Sequence, residues 1–399
     1  MLQSGTDRAD VLILGAGASG LMCAAACAAR GLSVTVVDWS REPGRKLAIA
    51  GGGKANFTNS GLAADKYRCS TNDFVPPALE AFGVEKLLRF MDSLRLPYER
   101  RAGGRYFLTT TARDLVAALL SRCRAGACRL AMNARFDAED IRLSQRGVSL
   151  VTRQRRRHEA AHLVVALGSP ACPAVGASGL GFAVAERLGH SIVPPEAALT
   201  PLYLEKGSPL RGLAGMSLPA TVSTESVSFT DDILFTGDGL SGPAALKASL
   251  FWRRGEPLTL DFLPGEDAGK LFSDANAGRG TARSLLARRL PRRLVDRLLP
   301  EAIGSRRCVE LPRAVREKIA RRFSAFVLVP AGAAGLRKAE VCRGGVDTRE
   351  IFPGTFASRR EPRCSFVGEV LDVTGLLGGY NLHWAFASGW LAARAVSSM

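Results

Sequence analysis

The chain has 399 residues, 47% hydrophobic and 23% charged, which excludes wholesale disorder and a small disulfide-stapled scaffold. Its nine cysteines are odd in number and include no C-x-x-C pair, so no metal site is expected and free thiols in a reducing, cytoplasmic setting are the simplest reading. The formal charge of +17 is the outlier, and residues 279–322 concentrate it, with fourteen Lys and Arg against four Asp and Glu.

Residues 11–14 form a short apolar strand, Gly15-Ala16-Gly17-Ala18-Ser19-Gly20 a tight turn, and residues 21–30 an alanine-rich helix. A second strand follows over 34–37 and ends at Asp38, completing a βαβ unit. Asp7 and Asp10 precede this run where a signal peptide would carry basic residues, and no other stretch approaches a membrane span. Residues 129–166 read as short strands, and 197–262 as a separate β domain. Leu286, Leu290, Leu294 and Leu298 recur every four residues around Pro291, so this stretch is two short helices or one kinked one. Residues 312–323 continue as helix, and a last helix runs from about Asn381 to Val396.

In Gly15-x-Gly17-x-x-Gly20 the first glycine permits the turn, the second admits a pyrophosphate to the backbone, and the third lets helix pack on strand. Ala18 and Ser19 offer helix N-terminal amides to the phosphates, and Asp38 supplies an acceptor for a ribose hydroxyl. The pattern alone does not separate FAD from NAD. Pro43-Gly44-Arg45-Lys46 and Gly51-Gly52-Gly53-Lys54-Ala55-Asn56-Phe57-Thr58-Asn59 favour a flavin, because bare backbone approaches a flat group closely and Arg45, Lys46 and Lys54 balance negative charge. A second glycine cluster, residues 176–181, follows Pro170 and Pro173 instead of a strand and reads as a structural or flavin-proximal loop.

These segments, with residues 234–244, Gly344-Gly345-Val346 and the stretch from Gly368-Glu369 through Asp372 to Gly378-Gly379-Tyr380-Asn381-Leu382-His383-Trp384, resemble the BaiN/RdsA-type flavoproteins in order over essentially the whole chain. The resemblance implies an α/β fold: a discontinuous Rossmann-type FAD-binding domain (residues 1–192 and 343–399) with an inserted β-barrel-like domain (193–275 and 324–342). That insert carries a small basic helical subdomain (276–323). It also implies non-covalent FAD held by Gly15, Gly17, Ala18, Ser19, Gly20, Asp38, Arg45, Lys46, Gly52, Gly53, Asn56, Gly168, Gly368, Glu369, Asp372, Gly378, Gly379 and Asn381. Family activities include ribosomal RNA dihydrouridine synthesis, bile-acid reduction and aminoacetone oxidation, with NAD(P)H as transient donor. The chain departs from the usual pattern at Ala55, where relatives carry cysteine, and at His383, where glutamine is more usual. Lys54, Asn56 and His383 are the expected catalytic residues, with His383 either a titratable group near the flavin or a packed histidine. Ribosomal RNA is the expected partner, through Arg288, Arg289, Arg292 and Arg293, unless these arginines only solvate a helix face.

Overall fold

The computed structural model describes residues 6–145, 147–272 and 280–396; Arg279 and the expected boundary at residue 276 lie outside them. The chain divides into two units, one built from Met1–Glu196 and Glu340–Met399, the other from Ala197–Ala339.

In the first unit β1 (Thr6–Leu14) runs parallel to β2 (Val34–Val37) on one side and to Arg157–Val165 on the other. Cys128–Ala131 extends the sheet beyond β2, again in parallel. The strand Arg157–Val165 changes partner along its length: its first half pairs antiparallel with Gly147–Val151, and its last three residues pair in parallel with Cys364–Phe366. That last pairing brings the C-terminal segment into the N-terminal sheet.

Val11, Leu12, Ile13 and Leu14 are inaccessible to solvent, because both faces of this parallel sheet are covered; hence the unbroken apolar run. Each such side chain contributes roughly 1.5–3 kcal/mol. The crossover helix α1 (Ala18–Ala28) starts three residues earlier than the hydrophobic pattern suggests, because Gly17 serves as its N-cap. The C-terminal helix Tyr380–Ala395 packs along α1 so closely that a Cβ on Gly389 would stand 2.3 Å from the Ser19 carbonyl oxygen. A glycine there lets the two backbones touch.

The second unit is a seven-stranded antiparallel path that begins at Phe326–Leu328 and ends at Gly332–Ala333. Only residues 329–331 separate those two ends, so the sheet returns to where it started, as a barrel-like sheet does. The leucine repeat around Pro291 forms two helices, Ala282–Leu286 and Arg292–Leu298, with Arg313–Ser324 following. Leu286, Leu294, Leu298 and Phe323 share one buried core with Leu258, Leu260 and Phe262 of the sheet. Among the described residues no helix is long and apolar enough to cross a membrane.

Candidate functional site

The turn after β1 separates two uses of glycine. A Cβ at Gly15 would stand 2.4 Å from the Ala166 oxygen, and one at Gly20 would stand 1.9 Å from the Gly15 oxygen, so both are required by packing alone. At Gly17 φ is an ordinary −80°, and a Cβ would meet nothing within 4 Å. Gly17 therefore faces open space of the kind a pyrophosphate needs. No side chain caps α1, which leaves the amides of its first turn, from Ala18 onward, for a ligand. Asp38 stands at the end of β2 with Oδ2 accepting from the Ala16 amide at 2.6 Å and Oδ1 from the Ser40 amide at 2.6 Å. A carboxylate has further lone pairs, so the ribose role stays compatible with these bonds. The residues fit a dinucleotide.

Gly44, at φ +69°, opens the short helix α2 (Arg45–Ile49) and donates its amide to the Ala16 oxygen of the turn. Arg45 donates to the Ala174 oxygen at 3.2 Å, which ties α2 to the turn just ahead of the second glycine cluster. Lys46 Nζ donates to Glu369 Oε2 at 2.6 Å, while Glu369 Oε1 accepts from Ser169 Oγ and the Cys342 amide. Gly168, at φ +70°, has open space where a Cβ would be. At Gly368 a Cβ would press on Ser19 Oγ at 2.5 Å, so that glycine admits the first turn of α1.

Gly52 and Gly53 also leave space where a Cβ would be, and the chain then enters β3 (Asn56–Asn59). Asn56, with its amide set to satisfy both ends, donates to the Tyr106 oxygen and accepts from the Gly379 amide, each at 3.2 Å. At Gly379 a Cβ would lie 2.5 Å from the Thr58 oxygen, so β3 and the start of the C-terminal helix meet backbone to backbone. Asn59 has no role assigned from sequence, yet it is buried and pins this junction. Its Nδ2 donates to the Gly103 and Gly378 oxygens, both at 3.0 Å.

Several expected site residues hydrogen-bond the scaffold. Asp372 is buried and clamps backbone: Oδ1 accepts from the Gly344 amide, Oδ2 from the Ser70 amide and hydroxyl. The Asn381 amide closes on Gly375, accepting from its N–H and donating to its oxygen at 2.8 Å each. His383 is fully buried; Nε2 donates to the Phe82 oxygen at 2.8 Å, so Nδ1 accepts from the Thr58 hydroxyl at 2.8 Å. Burial pushes its imidazole down to about 4, and both nitrogens are occupied. Of the two readings of His383, the geometry is that of a packed histidine with both ring nitrogens hydrogen-bonded. Ala55 is buried at φ +46°, and Lys54 Nζ donates to the Thr109 oxygen at 3.0 Å from a partly exposed position.

The four arginines expected to hold RNA do not act alike. Arg289 pairs with Glu266 at 3.1 Å, Arg292 with Asp296 at 3.7 Å, and Arg293 donates to the Gly212 oxygen at 2.9 Å. Arg288 is exposed and has no polar partner among the described residues.

The model for the HI0933-like protein Rossmann domain matches residues 9–395. The chain is 33% identical over 401 residues to the ribosomal RNA dihydrouridine synthase of Escherichia coli, covering 97% of this chain and 98% of that one. It is 34% identical to the enzyme of the same name from Haemophilus influenzae, covering 98% and 99%. It is 30% identical to a 3-dehydro-bile acid delta(4,6)-reductase of Clostridium scindens, covering 96% and 98%. Among solved structures, a 3-ketosteroid-delta4-(5alpha)-dehydrogenase of Rhodococcus jostii shares the fold at TM-score 0.52 and 14% identity, covering 100% of this chain and 99% of that one. The glycine turn, the returning C-terminal segment and the end-to-end match agree: the chain belongs to the HI0933-like Rossmann family of FAD-dependent oxidoreductases.

Proposed function

We propose that the protein reduces an activated C=C bond, that of a uridine in large-subunit ribosomal RNA, with NAD(P)H as the electron source. End-to-end similarity to two enzymes named for that reaction carries this reading, and the basic helices of the second unit support it. When bound, FAD supplies the hydride chemistry. The chain's own residues do the rest. Gly17 and the open first turn of α1 take the pyrophosphate, Asp38 the ribose, and Lys46 with Glu369 braces the cradle from both ends of the sequence. Asn56 fixes the Gly379 amide beside the bare Gly52 and Gly53 backbone. Ala55 has no proton to give and His383 is sealed away, which leaves the Lys54 ammonium as the proton-holding group of the glycine loop. Phosphate contacts by exposed arginines hold the RNA without selecting the base, and the uridine must be splayed out of its stack to react.

The competing substrate class is a steroid-type enone, as the name of the Clostridium scindens relative indicates. Nucleoside mass spectrometry of ribosomal RNA from a deletion strain, with and without the gene restored, separates the two. The expected result is loss of a dihydrouridine that complementation restores. Unchanged dihydrouridine, with NADPH-dependent turnover of an enone by the purified protein, overturns the RNA reading.

A further inference from the structure

The C-terminal ends of four helices of the first unit converge: α1, Val84–Ser93, Ala112–Arg124 and Tyr380–Ala395. Between them lies a groove of about 300 Å³, at the lower end of the range for small-ligand sites. Its floor is apolar, with Ala25, Phe90 and Trp390, and its rim carries Arg30, Arg122 and Arg394. The groove sits at the far end of α1 from the Gly15–Gly20 turn, so it is separate from the cofactor cradle.

Helix-end carbonyls explain part of this crowd of cations. Arg30 donates to the oxygens of Ala393 and Val396, and Arg122 to the Ser93 oxygen at 2.6 Å. Each guanidinium has five N–H donors, so most remain for a ligand. Arg394 makes no hydrogen bond among the described residues; its guanidinium lies 4.8 Å from the Trp390 ring, and the Lys86 ammonium lies 3.8 Å from the same ring. No carboxylate pairs with Arg30, Arg122 or Arg394 among the described residues. Burial first, and then repulsion from Arg394 and Arg89, holds Lys86 below the usual lysine range, while Glu85 pairs with Arg89 at 3.8 Å.

We propose that this groove receives an unpaired nucleotide of the RNA substrate, with the base against Ala25, Phe90 and the edge of Trp390 and the phosphate on Arg122 and Arg394. An apolar, aromatic floor with a guanidinium rim matches the two halves of a nucleotide, and this is the pairing single-stranded nucleic acid sites use. The inference rests on the RNA reading above.

The test uses the FAD-loaded full chain, a fluorescent single-stranded fragment of large-subunit ribosomal RNA, and the double variant Arg122→Gln/Arg394→Gln. Affinity should fall on the order of tenfold at about 0.1 M salt, and the slope of log affinity against log salt should drop by roughly one or slightly more. Flavin content should be unchanged. Light-induced cross-linking of the same fragment carrying 4-thiouridine should label Trp390 or Phe90. Unchanged affinity and slope in the double variant, with a parent that forms dihydrouridine, overturns the groove alone. A parent that neither binds RNA nor forms dihydrouridine overturns the RNA reading and the groove with it.

Discussion

The Lys46 ammonium donates to Glu369 Oε2 at 2.6 Å across 323 residues of sequence, which makes this half-buried ion pair one of the ties between the two ends of the chain at the candidate cofactor site. Glu369 also accepts from Ser169 and from the Cys342 amide, so its charge organises three segments. Glu369→Gln should lower unfolding free energy by about 1–2 kcal/mol, since the pair is partly solvated and worth less than a sealed one. FAD affinity should fall with it. A urea-unfolding cycle with Lys46→Met, Glu369→Gln and the double variant measures the coupling. A coupling energy of zero would show that the pair braces nothing.

Gly17 and Gly20 should fail in different ways. Gly17 has an ordinary φ and open space ahead of it, so Gly17→Val should fold and lose its flavin. Gly20→Ala puts a methyl 1.9 Å from the Gly15 oxygen and should lose stability whether or not cofactor is present. Flavin absorbance and thermal unfolding, run on both variants, check the pair. Full flavin retention in Gly17→Val would show that the open space is not where the pyrophosphate lies.

The fingerprint was legible because its chemistry is local: strand, three glycines and an acid sit within one βαβ unit. Lys46 and Glu369 are each expected at the site from their segments, but their partnership is not legible, since nothing in either segment reports a residue 323 positions away. Asp372 and Asn381 make backbone contacts that the sequence does not report. A carboxylate and an amide in glycine-rich segments resemble ligand contacts, and here both hydrogen-bond backbone: Asp372 the Gly344 and Ser70 amides, Asn381 the Gly375 peptide groups. The helix Ala112–Arg124 was missed although it announces itself. Thr111 and Asp114 form a capping box ahead of Leu115, Val116, Leu119 and Cys123, which line its buried face. Asn59 carried a weaker signal, a buried amide inside the glycine-run motif, and its two carbonyl partners come from distant loops.

His383 predicts a pH dependence of stability and not of catalysis. Its folded imidazole is pushed down to about 4 from 6.5 by burial. Below pH 6.5 the unfolded chain therefore takes up a proton that the folded chain refuses, so stability is full above that value and is lost as pH falls towards 4. The effect is on the order of 3 kcal/mol across that window. Half-buried His162, also pushed down to about 4, acts in the same direction. His383→Gln keeps one donor and one acceptor, so it should fold, support flavin reduction between pH 6 and 8, and flatten the acid loss measured by urea midpoints. An activity inflection near pH 6.5 that disappears in this variant would return His383 to the reaction.

The basic helices of the second unit make the last prediction, because Arg288, Arg289, Arg292 and Arg293 differ in what else they do. Arg293 donates to the Gly212 oxygen and Arg289 pairs with Glu266, so Gln at either position removes an internal contact along with a surface charge. Arg292 shares Asp296 at a loose 3.7 Å and stays exposed, and Arg288 has no polar partner among the described residues. Arg288→Gln with Arg292→Gln should therefore weaken RNA binding and lower its salt slope by roughly two at most, with no change in unfolding midpoint. Arg289→Gln with Arg293→Gln should lower the unfolding free energy by about 1 kcal/mol and weaken RNA binding less. Flavin reduction by NADPH should proceed at the parent rate in both, because these helices pack on the core of the second unit and the residues proposed to hold the flavin belong to the first. RNA affinity equal to that of the parent in the first pair would mean that Arg288 and Arg292 only solvate a helix face, and the polyanion reading of this segment would fall.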